Sequence, residues 1–282
     1  MSELPLHKLH VEAGDGHHWK LLAVVPEQPR ARLLWLPAMG VAARHYLPFA
    51  LGLAQRGIAT FIHDWRGNGT SSLRPSRQHD WGYREVLELD LPASTAVMTQ
   101  HLHGLPQIIG GHSLGGQLAC CHLGLNPDSA TRLWLVASGS PYWRAFPPRS
   151  RWWLPMAYRF LPWLADRRGY LPGHRIGFGG NESRSLIHDW ARSALSGRYA
   201  ARGLDADLEA AMAPVRVDAH AVVLGRDWLA PASSTRFLLS KLPRSSHRIE
   251  CLDSRALHAR ADHFAWMKQP QAVIDRLAAQ DA

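Results

Sequence analysis

The pentapeptide Gly111-His112-Ser113-Leu114-Gly115 constrains this chain more than any other segment. It follows the apolar run Leu105-Pro106-Gln107-Ile108-Ile109 and precedes a helix-favouring stretch from Gly116 to Leu125. Strand, Gly-x-Ser-x-Gly, then helix describes a sharp turn at the end of a sheet. Such a turn lifts a serine hydroxyl to where it can attack a carbonyl. The glycines answer a steric need, because a serine held near the left-handed region draws its neighbours against the following helix, where side chains would clash. Ser113 is therefore the expected nucleophile. Without its flanking strand and helix the pentapeptide would be weak, and an ordinary turn serine is the plain alternative.

Around this turn the chain alternates. His7 to Glu12 and Trp19 to Val25, joined through Gly14-Asp15-Gly16, read as a β-meander, and Leu33 to Leu36 as a third strand. A helix near Tyr46 to Arg56 ends at Gly57, a reasonable C-cap. A strand at Ile58 to Ile62 and a long helix from about Tyr83 to His101 follow. Beyond the nucleophile turn come a strand at Leu133 to Val136, then Ala219 to Leu224, a helix near Ser234 to Leu242, a strand at His247 to Leu252 and a final helix near Pro270 to Ala279. Strands separated by helices predict an α/β fold, a mostly parallel twisted sheet with helices on both faces.

The rhythm stops between about Ser140 and Met212, where aromatics such as Trp143, Trp152, Trp153, Phe160 and Trp163 mingle with prolines. The prolines should limit helix length, and no strand pattern replaces them. The expected organisation is a core of residues 1–139 and 213–282 with a cap of residues 140–212 inserted. The cap reads as an apolar lid over the site; the alternatives are an ordinary helical insertion or a membrane-interface patch.

Composition sets the bounds. With 282 residues, 46% of them hydrophobic, the chain can bury a sizeable core, and disorder is not the default. The net charge of +9 comes mostly from arginines scattered along the chain without a nucleic-acid motif. A solvated basic surface is expected, with an anionic substrate or a membrane surface as a weaker alternative and no nucleic-acid partner. Met1 to His10 lacks the pattern of a signal peptide, and no apolar run approaches a membrane span. Cys120, Cys121 and Cys251 do not suggest a disulfide framework, which makes the cytoplasm the expected compartment. Histidine and cysteine pairs such as His17-His18 lack a second ligand pair at metal-binding spacing, so neither a metal nor another cofactor is expected.

A serine hydroxyl needs a base near neutral pH, and the base needs an orienting acid. In a sheet with this turn the chain order is serine, acid, histidine. Asp227 follows the strand Ala221-Val222-Val223-Leu224 and stands in a loop at the C-terminal edge of the sheet. Asp253, at the end of the next strand, is the alternative acid, more simply read as a turn residue. His263, past the last strand and before the final helix, fits the base, with His258 as fallback. His258 and Asp262 also form a His-x3-Asp spacing, but the element order does not support the acyltransferase fold in which it occurs. The oxyanion of a tetrahedral intermediate needs two N–H donors. The expected pair is the backbone of Leu114 and that of Met39, with Ala38 the alternative in the loop Pro37-Ala38-Met39-Gly40. The run from Asp64 to Ser72 reads as a tight structural loop pinned by Asp64 and Arg66.

These residues resemble the α/β-hydrolase superfamily over nearly the whole chain. More narrowly, the sequence is similar to a bacterial branch of predicted α/β hydrolases related to serine-aminopeptidase-like and monoglyceride-lipase-like groups. The matching stretches include Pro37-Ala38-Met39-Gly40, Asp64-Trp65-Arg66-Gly67-Asn68-Gly69, Gly111 to Gln117, Gly169-Tyr170-Leu171-Pro172 and Asp189-Trp190-Ala191-Arg192. The resemblance implies a triad of Ser113, Asp227 and His263, and implies no substrate. One departure stands out: Asp262 occupies the position before the histidine where glycine is usual, and its carboxylate could shift the base or reshape the loop. The expected activity is cofactor-free cleavage of a carboxylic ester or thioester with an apolar acyl group. Acyl transfer or amide cleavage by the same triad is the alternative, and a non-catalytic small-molecule-binding protein on this scaffold is the reading from another class.

Overall fold

The structure, a computed structural model, describes residues 6–279. Residues 1–5 and 280–282, the two ends of the expected core and half of the Met1–His10 segment, lie outside the described residues. Ten strands are present among the described residues: β1 (Leu6–Glu12), β2 (His18–Val24), β3 (Ala31–Leu36), β4 (Ile58–Ile62), β5 (Gln107–His112), β6 (Arg132–Val136), β7 (Tyr170–Pro172), β8 (Asn181–Ser183), β9 (Asp218–Leu224) and β10 (Ser246–Leu252). Eight of them form one sheet in the order β1-β2-β4-β3-β5-β6-β9-β10. β1 pairs with β2, and β2 with β4, antiparallel; every other pairing in that sheet is parallel.

The central strands are apolar on both faces because helices cover both faces. Leu33 and Trp35 of β3 enter one core with Ile62, Ile108 and Trp134. Leu34 and Leu36 enter the other with Phe61, Ile109 and Leu135, as the two-residue period of a strand requires. The outermost strands, β1 and β10, carry the charged and exposed residues that suit edges.

β5 starts two residues later than the apolar run suggests and continues through Gly110 and Gly111. Glycines weaken a strand pattern, yet here close approach demands them. A Cβ on Gly110 would stand 2.6 Å from the Trp134 carbonyl oxygen. The long helix expected over 83–101 is interrupted by a π-turn at Val86–Asp90 before the α-helix Leu91–His101. Pro92 lies in the first turn of that second helix and cannot donate to the preceding turn, which accounts for the break.

All eight strands of the large sheet fall outside residues 140–212. That interval holds the helices Leu154–Arg168 and Arg184–Ser196, and also the small antiparallel pair β7–β8, which the sequence pattern did not announce. Strands of three residues are too short to show a period. The prolines limit helix length less than expected, since Leu154–Arg168 runs for 15 residues. Pro155 sits in the first turn, where no N–H is needed, and Pro162 is carried inside the helix by its burial. Tyr158, Leu161 and Ala165 of this helix join Phe61 and Leu135 in one continuous core, so the helix packs on one face of the sheet.

Candidate active site

β5 ends at His112 and the helix Leu114–Leu125 begins one residue after Ser113. Ser113 alone makes the connection, at φ 56° and ψ −118°, a strained conformation for a residue with a side chain. The backbone tolerates it because of the glycines. A Cβ on Gly111 would lie 2.3 Å from the Gly115 carbonyl carbon, and one on Gly115 would lie 2.0 Å from the Leu36 carbonyl oxygen. Gly116 is a further requirement that the pentapeptide does not contain, its Cβ position falling 2.3 Å from Ser138 Oγ. Ser138 in turn donates from Oγ to the Ser113 carbonyl at 2.7 Å, and the Ser113 N–H donates to the Val136 carbonyl at 3.2 Å.

Asp227 and His263 meet. His263 Nδ1 lies 2.7 Å from Asp227 Oδ2, with both side chains nearly inaccessible to water. The other carboxylate oxygen of Asp227 accepts the backbone N–H groups of Leu229, at 2.9 Å, and Ala230, at 3.2 Å. The loops that carry the two residues are tied to each other by the Arg226 N–H, which donates to the Ala261 carbonyl at 2.8 Å. Asp253 is elsewhere, capping the short helix Ser254–Leu257 through the Ala256 N–H. His258 is exposed at the end of that helix. The Asp262 carboxylate accepts the N–H groups of Phe264 and Ala265, at 3.1 and 2.9 Å, and so caps the turn after His263. An aspartate where glycine is usual is thus explained by a local cap.

Ser113, Leu114, Met39 and His263 line one cavity of about 360 Å³. Its remaining walls are mostly apolar, among them Phe146, Trp153, Tyr158, Leu161, Phe178 and Trp190. No Asp or Glu is among the described residues that line it. Ser113 and His263 share the cavity without a direct hydrogen bond among the described residues. The ring of His112, the residue before the serine, lies 4.7 Å from the ring of His263.

The Ala38 and Met39 amides differ in their hydrogen bonding. The Ala38 N–H donates to the Tyr46 hydroxyl at 2.9 Å, and that hydroxyl lies 2.8 Å from His112 Nδ1. The hydroxyl oxygen keeps a second lone pair beside the Ala38 bond, so it donates to Nδ1 or accepts from it according to the tautomer of a neutral ring. Burial, reinforced by the neighbouring His263, pushes the His112 pKa well below the ordinary 6.5 and agrees with that state. Among the described residues neither the Met39 N–H nor the Leu114 N–H has an acceptor. For Leu114 this follows from its place in the first turn of a helix. Tyr46 and His112 went unnoticed in the sequence because each looks like an ordinary core residue; only their meeting across 66 positions gives them a role.

Two further features shape the site. Asp64 accepts the Ala43 N–H at 2.7 Å and both the N–H and hydroxyl of Thr70 at 2.9 Å, holding the loop after β4 as expected. Arg66, however, is bound by Asp15 and the buried Asp90. The second feature is Glu182 on β8, buried and accepting the Gly180 N–H at 2.9 Å. Burial raises its carboxyl from the ordinary 4.5 to about 7, against the opposing effect of that hydrogen bond. The Gly179–Gly180 backbone it holds abuts Gly40, where a Cβ would stand 1.9 Å from the Gly180 nitrogen.

A largely parallel eight-stranded sheet with a serine on a strained strand-to-helix turn is the α/β-hydrolase fold, and solved structures agree. The chain superposes on the structure of DcsB in complex with its substrate analogue with a TM-score of 0.66 at 12% identity, covering 98% of each chain. A lipase in its open form gives 0.65 at 15% identity, with 98% of this chain and 97% of that one covered. The esterase domain of a Rhodothermus marinus protein gives 0.62 at 15%, with the same coverage. At these identities the likeness carries the fold. The profile of the serine aminopeptidase S33 family matches residues 27–258, and the chain belongs to that hydrolase family. No curated protein sequence matches it. The family match ends five residues before His263, so it does not bear on that residue.

Proposed function

We propose that the chain is a serine hydrolase that cleaves a carboxylic ester or thioester with an apolar acyl group through an acyl-enzyme. The observation that carries this reading is the 2.7 Å contact of His263 Nδ1 with Asp227, at the wall of an apolar cavity shared with Ser113. Asp227 holds the imidazole by Nδ1–H, which leaves Nε2 as the base that takes the Ser113 proton. The serine oxygen adds to the substrate carbonyl, and the oxyanion is received by the N–H groups of Met39 and Leu114 at the positive end of a helix. His263 then returns its proton to the leaving alcohol or thiol. Water, deprotonated by the same imidazole, releases the acid and restores Ser113. The serine–histidine hydrogen bond forms with substrate in place, since such contacts are commonly long in unoccupied sites.

The ester reading is preferred to the aminopeptidase activity of the family name for a physical reason. Recognising a peptide's α-ammonium in a largely apolar cavity requires a carboxylate to offset its desolvation, and the described lining residues include none. Residues 140–212 serve as the cap of this site, over a core formed by residues 1–139 and 213–282. Support comes from Phe146, Trp153, Tyr158 and Leu161, which belong to the insert and line the cavity.

A fluorophosphonate probe tests the proposal. Wild type should label, Ser113→Ala should not, and Asp227→Asn should label at least ~10³-fold more slowly, because the asparagine favours the wrong imidazole tautomer. Absence of labelling on folded wild-type protein would instead indicate a binding protein on a hydrolase scaffold.

A further inference from the structure

The helix Leu154–Arg168 turns one apolar face inward and a second outward. Trp152, Met156, Phe160 and Trp163 are 71, 61, 51 and 50% exposed. Spaced by four, four and three residues, they follow one side of the helix and its approach. The rings of Phe160 and Trp163 lie 5.6 Å apart, and the Arg167 guanidinium stands 5.3 Å from the Trp163 ring. The patch continues to the cavity. Trp153 meets Trp228 at 5.9 Å, and Trp228 and Phe264 are both exposed and line the cavity. Its surroundings are cationic: residues 144–168 contain six arginines and a single acid, Asp166, which His188 engages at 2.9 Å.

We propose that this face docks onto an anionic lipid surface and that the cavity draws its acyl substrate from there. The docking stands on the patch alone; the substrate clause rests on the ester reading. An outward stripe of this size is a binding surface rather than a solvated one. Tryptophan beside arginine is the composition of a membrane interface, where the indole sits at headgroup depth and the guanidinium reaches lipid phosphate. A second copy of the chain is a poor occupant, because two such faces would bring Arg167, seated on Trp163, and the exposed Arg159 of the same helix against their own like charge.

The test is sedimentation of the full chain with vesicles. Binding is expected to phosphatidylcholine containing about 30% phosphatidylglycerol, at least tenfold weaker to phosphatidylcholine alone, and weaker again in high salt. Met156→Ser/Phe160→Ser/Trp163→Ser should lower vesicle affinity more than tenfold while turnover of a short soluble ester stays within about twofold. Arg159→Glu/Arg167→Glu should do the same, which keeps the test decisive should the first variant misfold. Ser113→Ala should bind as wild type does, so lost docking and lost chemistry are read separately. Wild type remaining in the supernatant, or both variants binding unchanged, would overturn the proposal. So would a wild-type dimer that the triple variant dissolves without any vesicle binding, which would make the patch an interface between copies.

Discussion

The floor and the roof of the cavity are built by opposite means. The floor, where Leu36 and Pro37 meet Gly115 and Gly115 meets Gly111, is backbone against backbone, with spaces so narrow that one added methyl group on either glycine has nowhere to go. The roof, drawn from the insert, is side chain against side chain, with Phe146, Trp153, Leu161 and Trp190 facing the space. Backbone contacts leave only glycine acceptable and hold reacting groups in place. Side-chain contacts accept many apolar substitutes at modest cost. In the proposed reaction the floor would govern whether chemistry occurs, and the roof which acyl group it reaches.

Gly115→Ala should break the floor. The new Cβ would displace the Leu36–Pro37 backbone and with it the Met39 N–H. We expect kcat/KM to fall about 100-fold, in line with the loss of one oxyanion donor, with a lowered melting midpoint. An alanine variant of full activity would show the floor to be more yielding than its geometry implies. Leu161→Ala should sharpen the contrast from above. Across a p-nitrophenyl ester series it should move the preferred acyl chain to greater length, changing selectivity by roughly tenfold with little effect on acetate. A uniform loss across the series would place Leu161 with the floor.

Glu182→Gln tests the seam between the two, where β8 holds the Gly179–Gly180 backbone against Gly40. A carboxyl with pKa about 7 when folded and near 4.5 when unfolded binds more protons in the folded state between those values. Its contribution is fully present below about pH 4.5 and is lost as pH rises through 7, by roughly 3 kcal/mol at most. Glutamine keeps the acceptor for Gly180 and removes the titration. The variant's melting midpoint should gain on wild type between pH 5 and 8, and a constant difference would sink the assignment. Buried histidines held neutral, His63, His112 and His122 among them, weaken both proteins in acid and cancel in the comparison.

Much of this was legible because it is local. A strand, a glycine-bounded serine and a helix share one stretch of chain, and the order of Asp227 and His263 follows from the order of strands. Asp227 and Asp253 both end strands; the loop position after Ala221–Leu224 favours Asp227 as the acid, and packing shows its carboxylate turned toward His263. Asp262 looked like a disturbance beside the base until its carboxylate proved to cap Phe264 and Ala265. The β7–β8 pair was unreadable, since three residues cannot display a period.

By itself the sequence determined the mostly parallel sheet between helices and the glycine-bounded strand-to-helix turn at Ser113, because hydrophobic period and glycine sterics act between near neighbours. Only the tertiary structure decided that the Ala38 N–H is taken by Tyr46 while the Met39 N–H is not, that the Asp227 carboxylate meets the imidazole, and which aromatics of residues 140–212 face inward or outward. Those outcomes depend on contacts between residues tens of positions apart, such as Tyr46 with His112 or Trp153 with Trp228. Such contacts exist only once packing has brought the segments together.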